Sequence, residues 1–90
     1  MANAAYELRF TKEAKEQLRN LDNPTAKQIA RKINWLVENT DSIPHRALVG
    51  NLSGLFRYRI SDYRVLYYLD YQLRVLLVVE IGHRRDVYKD

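Results

Sequence analysis

Hydrophobic and polar positions alternate from Tyr6 to Phe10, with Tyr6, Leu8 and Phe10 on one side and Glu7 and Arg9 on the other, the period of a half-buried strand. The period then changes. Thr11 offers a side-chain oxygen as a helix N-cap, and Ala14, Leu18 and Leu21 follow at helical spacing, which predicts a helix over Lys12 to Leu21. Asn23 and Pro24 repeat the start signal, a capping side chain before a proline whose missing N–H costs nothing at the first helical position. Ala26, Ile29, Ile33 and Leu36 then form one apolar stripe with Lys27, Arg31 and Lys32 off it, predicting a second helix over Pro24 to Glu38, antiparallel to the first.

Asn39 to Gly54, which holds Asp41, Ser42, Pro44, Gly50 and Ser53, reads as a connector, long enough to be functional or docked on the core. Alternation returns at Leu55 to Ile60, with Phe56, Tyr58 and Ile60 on one face and Arg57 and Arg59 on the other. Strands over Tyr63 to Leu69 and Leu73 to Ile81 follow, the last nearly all apolar and so expected to be covered on both faces. The order βααβββ is that of an α+β domain, two N-terminal helices packed on a small, mainly antiparallel, twisted sheet. No linker, repeat or low-complexity segment divides it, so residues 1–90 are expected to form a single domain.

Composition narrows the function. Ninety residues, 47% of them hydrophobic, make an ordinary globular chain, and the absence of cysteine excludes a disulfide scaffold or zinc–thiolate site and fits a reducing compartment. Met1 to Phe10 lacks a basic segment followed by an apolar run, and Val75 to Val79, the longest uninterrupted apolar run, is too short for a bilayer, so a cytoplasmic protein without a membrane partner is expected. Fifteen Lys and Arg against eleven Asp and Glu leave a formal charge of +4, which favours an anionic partner, nucleic acid ahead of an acidic protein.

Much of that charge gathers in RYRISDYRVLYY, residues 57–68. With Ser61 and Asp62 as a two-residue hairpin loop, Ile60 faces Tyr63, Arg59 faces Arg64 and Tyr58 faces Val65, so Arg57, Arg59 and Arg64 share one face. Like charges opposite one another repel, which asks for an anion or an acidic chain between them. The same spacing also suits a solvated edge kept soluble by its arginines. Gly82 to Tyr88 follows the last strand, where a loop folding back would bring His83, Arg84 and Tyr88 to the hairpin. Tyr58, Tyr63 and Tyr67 read as sheet residues, His45 beside Pro44 as a surface residue, and Trp35, at the edge of its helix's apolar stripe, as packing. There is no paired-carboxylate motif, two histidines are too few for a metal cluster, and no Gly-rich phosphate loop appears, so neither cofactor nor metal is expected.

Leu52-x-Gly54, Phe56-Arg57-Tyr58-Arg59-Ile60, Asp62-Tyr63-Arg64-Val65 and Ile81-Gly82-His83-Arg84-x-Asp86-Val87-Tyr88, in that order after a strand and two helices, resemble the RelE branch of the RelE/ParE toxin superfamily. The resemblance implies a RelE-like, microbial ribonuclease-type fold and the toxin of a toxin–antitoxin pair, a ribosome-dependent mRNA endoribonuclease. Such a toxin enters the A site of the 70S ribosome and cuts mRNA without a metal, the RNA's own 2′-hydroxyl attacking the adjacent phosphate. It further implies an acidic, RelB-like or other, cognate antitoxin, and active positions at Arg57, Arg59, Arg64, Arg84 and Tyr88. The first two are commonly lysine in the branch. Arginine stays charged at any working pH, so Arg57 and Arg59 are cast as phosphate clamps, Tyr88 as the first proton-transfer group, His83 as a second, acidic one, and Arg85 as an RNA contact at most. Two rivals stand beside this reading. One is a ParE-like DNA gyrase inhibitor without nuclease activity, a branch that generally lacks this arginine and tyrosine set; the other is a binding module for an acidic partner.

Overall fold

At Thr11 the chain passes from strand into helix. The residue is extended (φ −69°, ψ 163°); its hydroxyl accepts the Ala14 N–H at 3.1 Å and donates to the Val79 carbonyl at 3.3 Å, so one side chain caps the helix and ties it to the sheet. The computed structural model describes residues 5–87. They form β1 (Glu7–Phe10), α1 (Lys12–Arg19), α2 (Asn23–Glu38), β2 (Arg46–Ala47), β3 (Phe56–Ile60), β4 (Tyr63–Asp70), β5 (Val75–His83) and α3 (Arg84–Val87), with single 3-10 turns at Thr40–Ser42 and Gly50–Leu52. The sheet runs β1-β5-β4-β3-β2, parallel between β1 and β5 and antiparallel elsewhere. The expected α+β architecture is present, with a fifth strand, β2, inside the segment read as a connector.

Both helices cover one face of this sheet. Ala14 of α1 and Ile29, Ile33 and Leu36 of α2 pack on Tyr6, Ile60, Val65, Tyr67, Leu69, Leu76, Val78 and Ile81. Helix α1 closes two residues before Leu21, where the Asn20 N–H reaches the Glu16 carbonyl at 3.0 Å, yet Leu21 still packs against the core. The cap of α2 is Asp22 and not Asn23: its carboxylate accepts the Thr25 N–H at 3.2 Å and the Thr25 hydroxyl at 3.0 Å, with Pro24 inside the first turn, where no N–H is missed. On the opposite face Leu48 and Leu66 form a smaller cluster with Leu52, Leu55 and Val79. The last strand is therefore fully buried on its helix side only, Leu77 and Val79 being half-buried.

Strand β2 stops after two residues for a local reason. Continuing its register from Arg46↔Arg57 sets Pro44 opposite Arg59, and proline has no N–H to give a ladder. His45, expected at the surface, turns inward against Phe56 and Tyr67, with ring centroids 5.6 and 5.7 Å away. Its Nε2 lies 2.8 Å from the Thr40 carbonyl, which only accepts, so in the neutral ring Nε2 carries the proton and Nδ1 accepts from the Tyr67 hydroxyl at 2.5 Å. The connector is thereby docked on the core.

The far end of the sheet is held in a similar way. Beyond Phe10 the edge of β5 is covered by α1, whose Gln17 Oε1 accepts the Ile81 N–H at 2.7 Å. Strand β5 extends to His83, past the expected Ile81, and enters α3 directly, so a helical turn replaces the expected fold-back loop. The Arg84 N–H donates to the Asp62 carbonyl at 2.8 Å and fixes that turn against the β3–β4 loop.

Candidate functional site

Ser61 has φ +56° while Asp62 does not leave the negative range, the sign pattern of a II′ loop, whose twist suits a hairpin. That turn sets the register Ile60↔Tyr63, Arg59↔Arg64, Tyr58↔Val65 and Arg57↔Leu66. Residues paired across a sheet point to the same side. The face away from the helices therefore carries two cross-strand rows. One runs Arg46, Arg57, Leu66, Glu80; the other runs Arg59, Arg64, Gly82. Gly82 sets no side chain opposite Arg64.

Arg64 is the centre of this face. It is 7% exposed, and burial first, then the guanidiniums of Arg59, Arg57 and Arg84, pull it below the usual arginine value, with Asp62 opposing. It stays protonated at any working pH. Among the described residues no carboxylate forms an ion pair with Arg64; its contact is a long one, 3.4 Å, from Nη1 to the Tyr63 carbonyl. A buried cation crowded by like charges is destabilising unless an anion completes the site. Planar guanidiniums from neighbouring strands can clamp the oxygens of a phosphate, Arg57 from a half-buried position and Arg59 from an exposed one.

The other expected residues divide. Arg84 lies within electrostatic reach of Arg64, and Arg85 is exposed beside it on α3. His83 pairs with Tyr63, its ring edge-on to Tyr63 with centroids 5.5 Å apart, and its Nδ1 accepts the Arg85 N–H at 3.3 Å. Strand alternation thus sets His83 on the helix side, away from the arginines. Tyr88 lies outside the described residues.

Two residues on the arginine face were not expected there. Arg46 was hidden in the connector. Glu80 is half-buried and pushed above the usual carboxylate range by burial; it shares the face with Leu66 because a bulge beside Leu66 and Tyr67 breaks the alternation of β5. A groove of about 480 Å³ lies elsewhere, between Phe10 of β1 and Leu18, Leu21 and Ala26 of the helical layer, with Lys15 and Arg19 at its rim. It is apart from the arginine face. No group of three or more His, Asp or Glu side chains is placed to hold a metal, and no helix is long and apolar enough to cross a membrane, among the described residues.

The model of the family described as ParE toxin of type II toxin-antitoxin system, parDE, matches residues 8–88. Among solved structures, the toxin–antitoxin complex RelBE2 from Mycobacterium tuberculosis is similar at 25% identity and TM-score 0.80, covering 91% of this chain and 94% of that one. The isolated E. coli RelE toxin is similar at 21% identity and TM-score 0.73, over 88% of this chain and 84% of that one. The archaeal RelE–RelB complex from Pyrococcus horikoshii OT3 is similar at 19% identity and TM-score 0.71, over 93% of this chain and 100% of that one. None of the curated proteins matches the sequence.

Proposed function

Since this chain belongs to the ParE toxin family of type II toxin–antitoxin systems, we propose that its arginine face binds RNA phosphate and that it is the ribosome-dependent mRNA endoribonuclease of such a pair. The observation that carries the proposal is Arg64, a buried guanidinium without an ion pair among the described residues, crowded by Arg57, Arg59 and Arg84. The 2′-oxygen of the RNA attacks its own 3′-phosphate and the bond to the 5′-oxygen breaks. A 2′,3′-cyclic phosphate and a free 5′-hydroxyl result. The 2′-proton leaves to a base, the departing oxygen receives a proton, and the arginines hold the negative charge that builds on phosphorus in between. Arginine cannot serve as the base. That role is assigned to Tyr88, since cations beside a phenol draw it toward ionisation; His83, the second proton-transfer candidate, is turned to Tyr63.

Similar solved structures are complexes with antitoxins, and the same arginine face calls for an acidic antitoxin segment as cover, supplied by a neighbouring reading frame whose co-expression restores growth. The match to the ParE family model favours a second reading, a gyrase poison without nuclease activity. Mapping transcript 5′ ends after brief induction decides between them. New ends inside translated regions, absent for Arg64→Ala, support the nuclease; intact transcripts with DNA breaks and SOS induction support the gyrase poison. Tyr88→Phe removes one hydroxyl, and the expected loss of cleavage is about a hundredfold to ten-thousandfold with ribosome binding kept. Full activity of that variant would remove Tyr88 from proton transfer.

A further inference from the structure

The chain's one tryptophan does not disappear into packing. Trp35 of α2 is 45% exposed, and its ring lies nearly parallel to that of half-buried Tyr58 of β3, 11° between the planes and 6.5 Å between centroids. Exposed Arg31 lies one helical turn before Trp35, and exposed Arg59, the next residue after Tyr58, projects from the other face of the same strand. The sheet edge beside it carries no ladder past Arg57. Strand β2 pairs only with Phe56 and Arg57. Because Ile60 and Tyr63 flank a two-residue loop as its hydrogen-bonded pair, the Arg59 N–H and C=O point away from β4, toward the stretch of edge that β2 leaves uncovered. The aromatic pair with Arg31 on the helix side, the outward Arg59 backbone donor in the plane of the sheet and the arginine face beyond it share one edge.

We infer that this edge binds single-stranded RNA, one unpaired base stacking on Trp35 while the adjoining phosphate is held by Arg31 and the strand continues round the edge to Arg59. The inference rests on the RNA reading of the arginine face and adds a nucleotide subsite to it. Parallel rings offer a flat face for a base, and stacking of this kind is tolerant of base identity. The flanking cations match a phosphate backbone.

Trp35 itself is the reporter. The full-length protein is titrated with a 2′-O-methyl RNA hexamer, which cannot be cut, while tryptophan emission is followed; labelled hexamer then measures affinity for Trp35→Leu and Trp35→Phe, with circular dichroism confirming that both are folded. Saturable quenching is expected, with Trp35→Leu binding roughly fivefold to a hundredfold more weakly and Trp35→Phe keeping most of the affinity. Equal binding by folded Trp35→Leu overturns the subsite, as does equal weakening in Leu and Phe, which would mark a packing role. Quenching by an acidic amphipathic peptide and not by RNA also overturns it and gives the edge to a protein partner. Transcript cleavage by the wild type is scored in parallel. Cleavage with no effect of Trp35→Leu sinks the subsite alone, and quenching without cleavage keeps the subsite and sinks the nuclease reading.

Discussion

Arg64 occupies a position where the fold alone would be served better by an apolar side chain. It is 7% exposed, stands across from Arg59, and takes from the described residues no ion pair to offset its burial. Replacing a buried, poorly compensated charge by an apolar residue of similar length commonly stabilises by about 1–4 kcal/mol. Arg64→Met is therefore expected to raise Tm in anion-free buffer by several degrees, at roughly 4–8 °C per kcal/mol for a domain of this size, while abolishing cleavage. Added sulfate should raise the wild-type Tm and leave the variant's unchanged; a variant that melts lower than wild type in both buffers would mean that Arg64 is a structural residue. The opposition of Arg59 and Arg64 was legible in the sequence because a two-residue loop fixes the register. The place of His83 was misjudged, because β5 runs on to His83 in place of the expected loop, and two residues beyond Ile81 strand alternation turns it to the core-facing side. Glu80 was not legible, because the bulge that brings it round leaves no mark in an unbroken apolar run.

The connector shows what a pattern-based reading of elements misses. Two 3-10 turns and a two-residue strand carry no periodicity to detect, and what orders them is the packing of Leu48 and Leu52 together with a few single hydrogen bonds. Chief among these is the chain from the Thr40 carbonyl through His45 to the Tyr67 hydroxyl. Removing that hydroxyl leaves His45 Nδ1 without its donor, so Tyr67→Phe is expected to cost about 1–3 kcal/mol and to loosen β2, read out as faster amide exchange at Arg46 and Ala47. Burial pushes the Tyr67 phenol above the ordinary tyrosine range, with Tyr71 and Tyr58 adding to the effect. A raised folded value means that stability is fully present below about pH 10, where the unfolded phenol is still protonated, and declines as pH climbs toward the folded value. Denaturant midpoints above pH 10 should thus fall in the wild type and fall less steeply in Tyr67→Phe. Tyr6 and Tyr58, also raised by burial, keep part of the slope. Identical slopes would show that Tyr67 does not titrate with unfolding. The long elements were legible because α2 and the β3–β4 hairpin repeat their period several times. The cap of α1 at Thr11 was legible as well, but that of α2 was not, since Asp22 and Asn23 carry equivalent signals and only the course of the chain selects Asp22.

At the scale of the whole molecule, a ninety-residue chain of net charge +4 presents a cluster of cations on one face of the sheet and carries further cations, among them Lys12, Lys15, Lys27 and Lys32, on exposed helical positions. Phosphate contacts hold RNA without aligning it for reaction. In-line attack needs the 2′-oxygen, phosphorus and leaving oxygen fixed together, and such positioning is worth several orders of magnitude in rate. A row of arginines holds phosphate but has little with which to impose that alignment, whereas a ribosome already holding a codon can supply it. Cleavage of mRNA in programmed ribosomes is accordingly expected to exceed cleavage of the same RNA free in solution by at least about a hundredfold. Its association step should weaken steeply with salt. Arg57→Ala and Arg64→Ala should each lower the slope of log affinity against log salt by roughly one, the signature of a lost phosphate contact. Tyr88→Phe should leave that slope untouched while cleavage falls, because it removes the proposed proton-transfer group and no cation that holds phosphate. Equal cutting of free and ribosome-bound RNA would refute dependence on the ribosome, and unchanged salt slopes in both arginine variants would refute the phosphate site from which the whole reading is built.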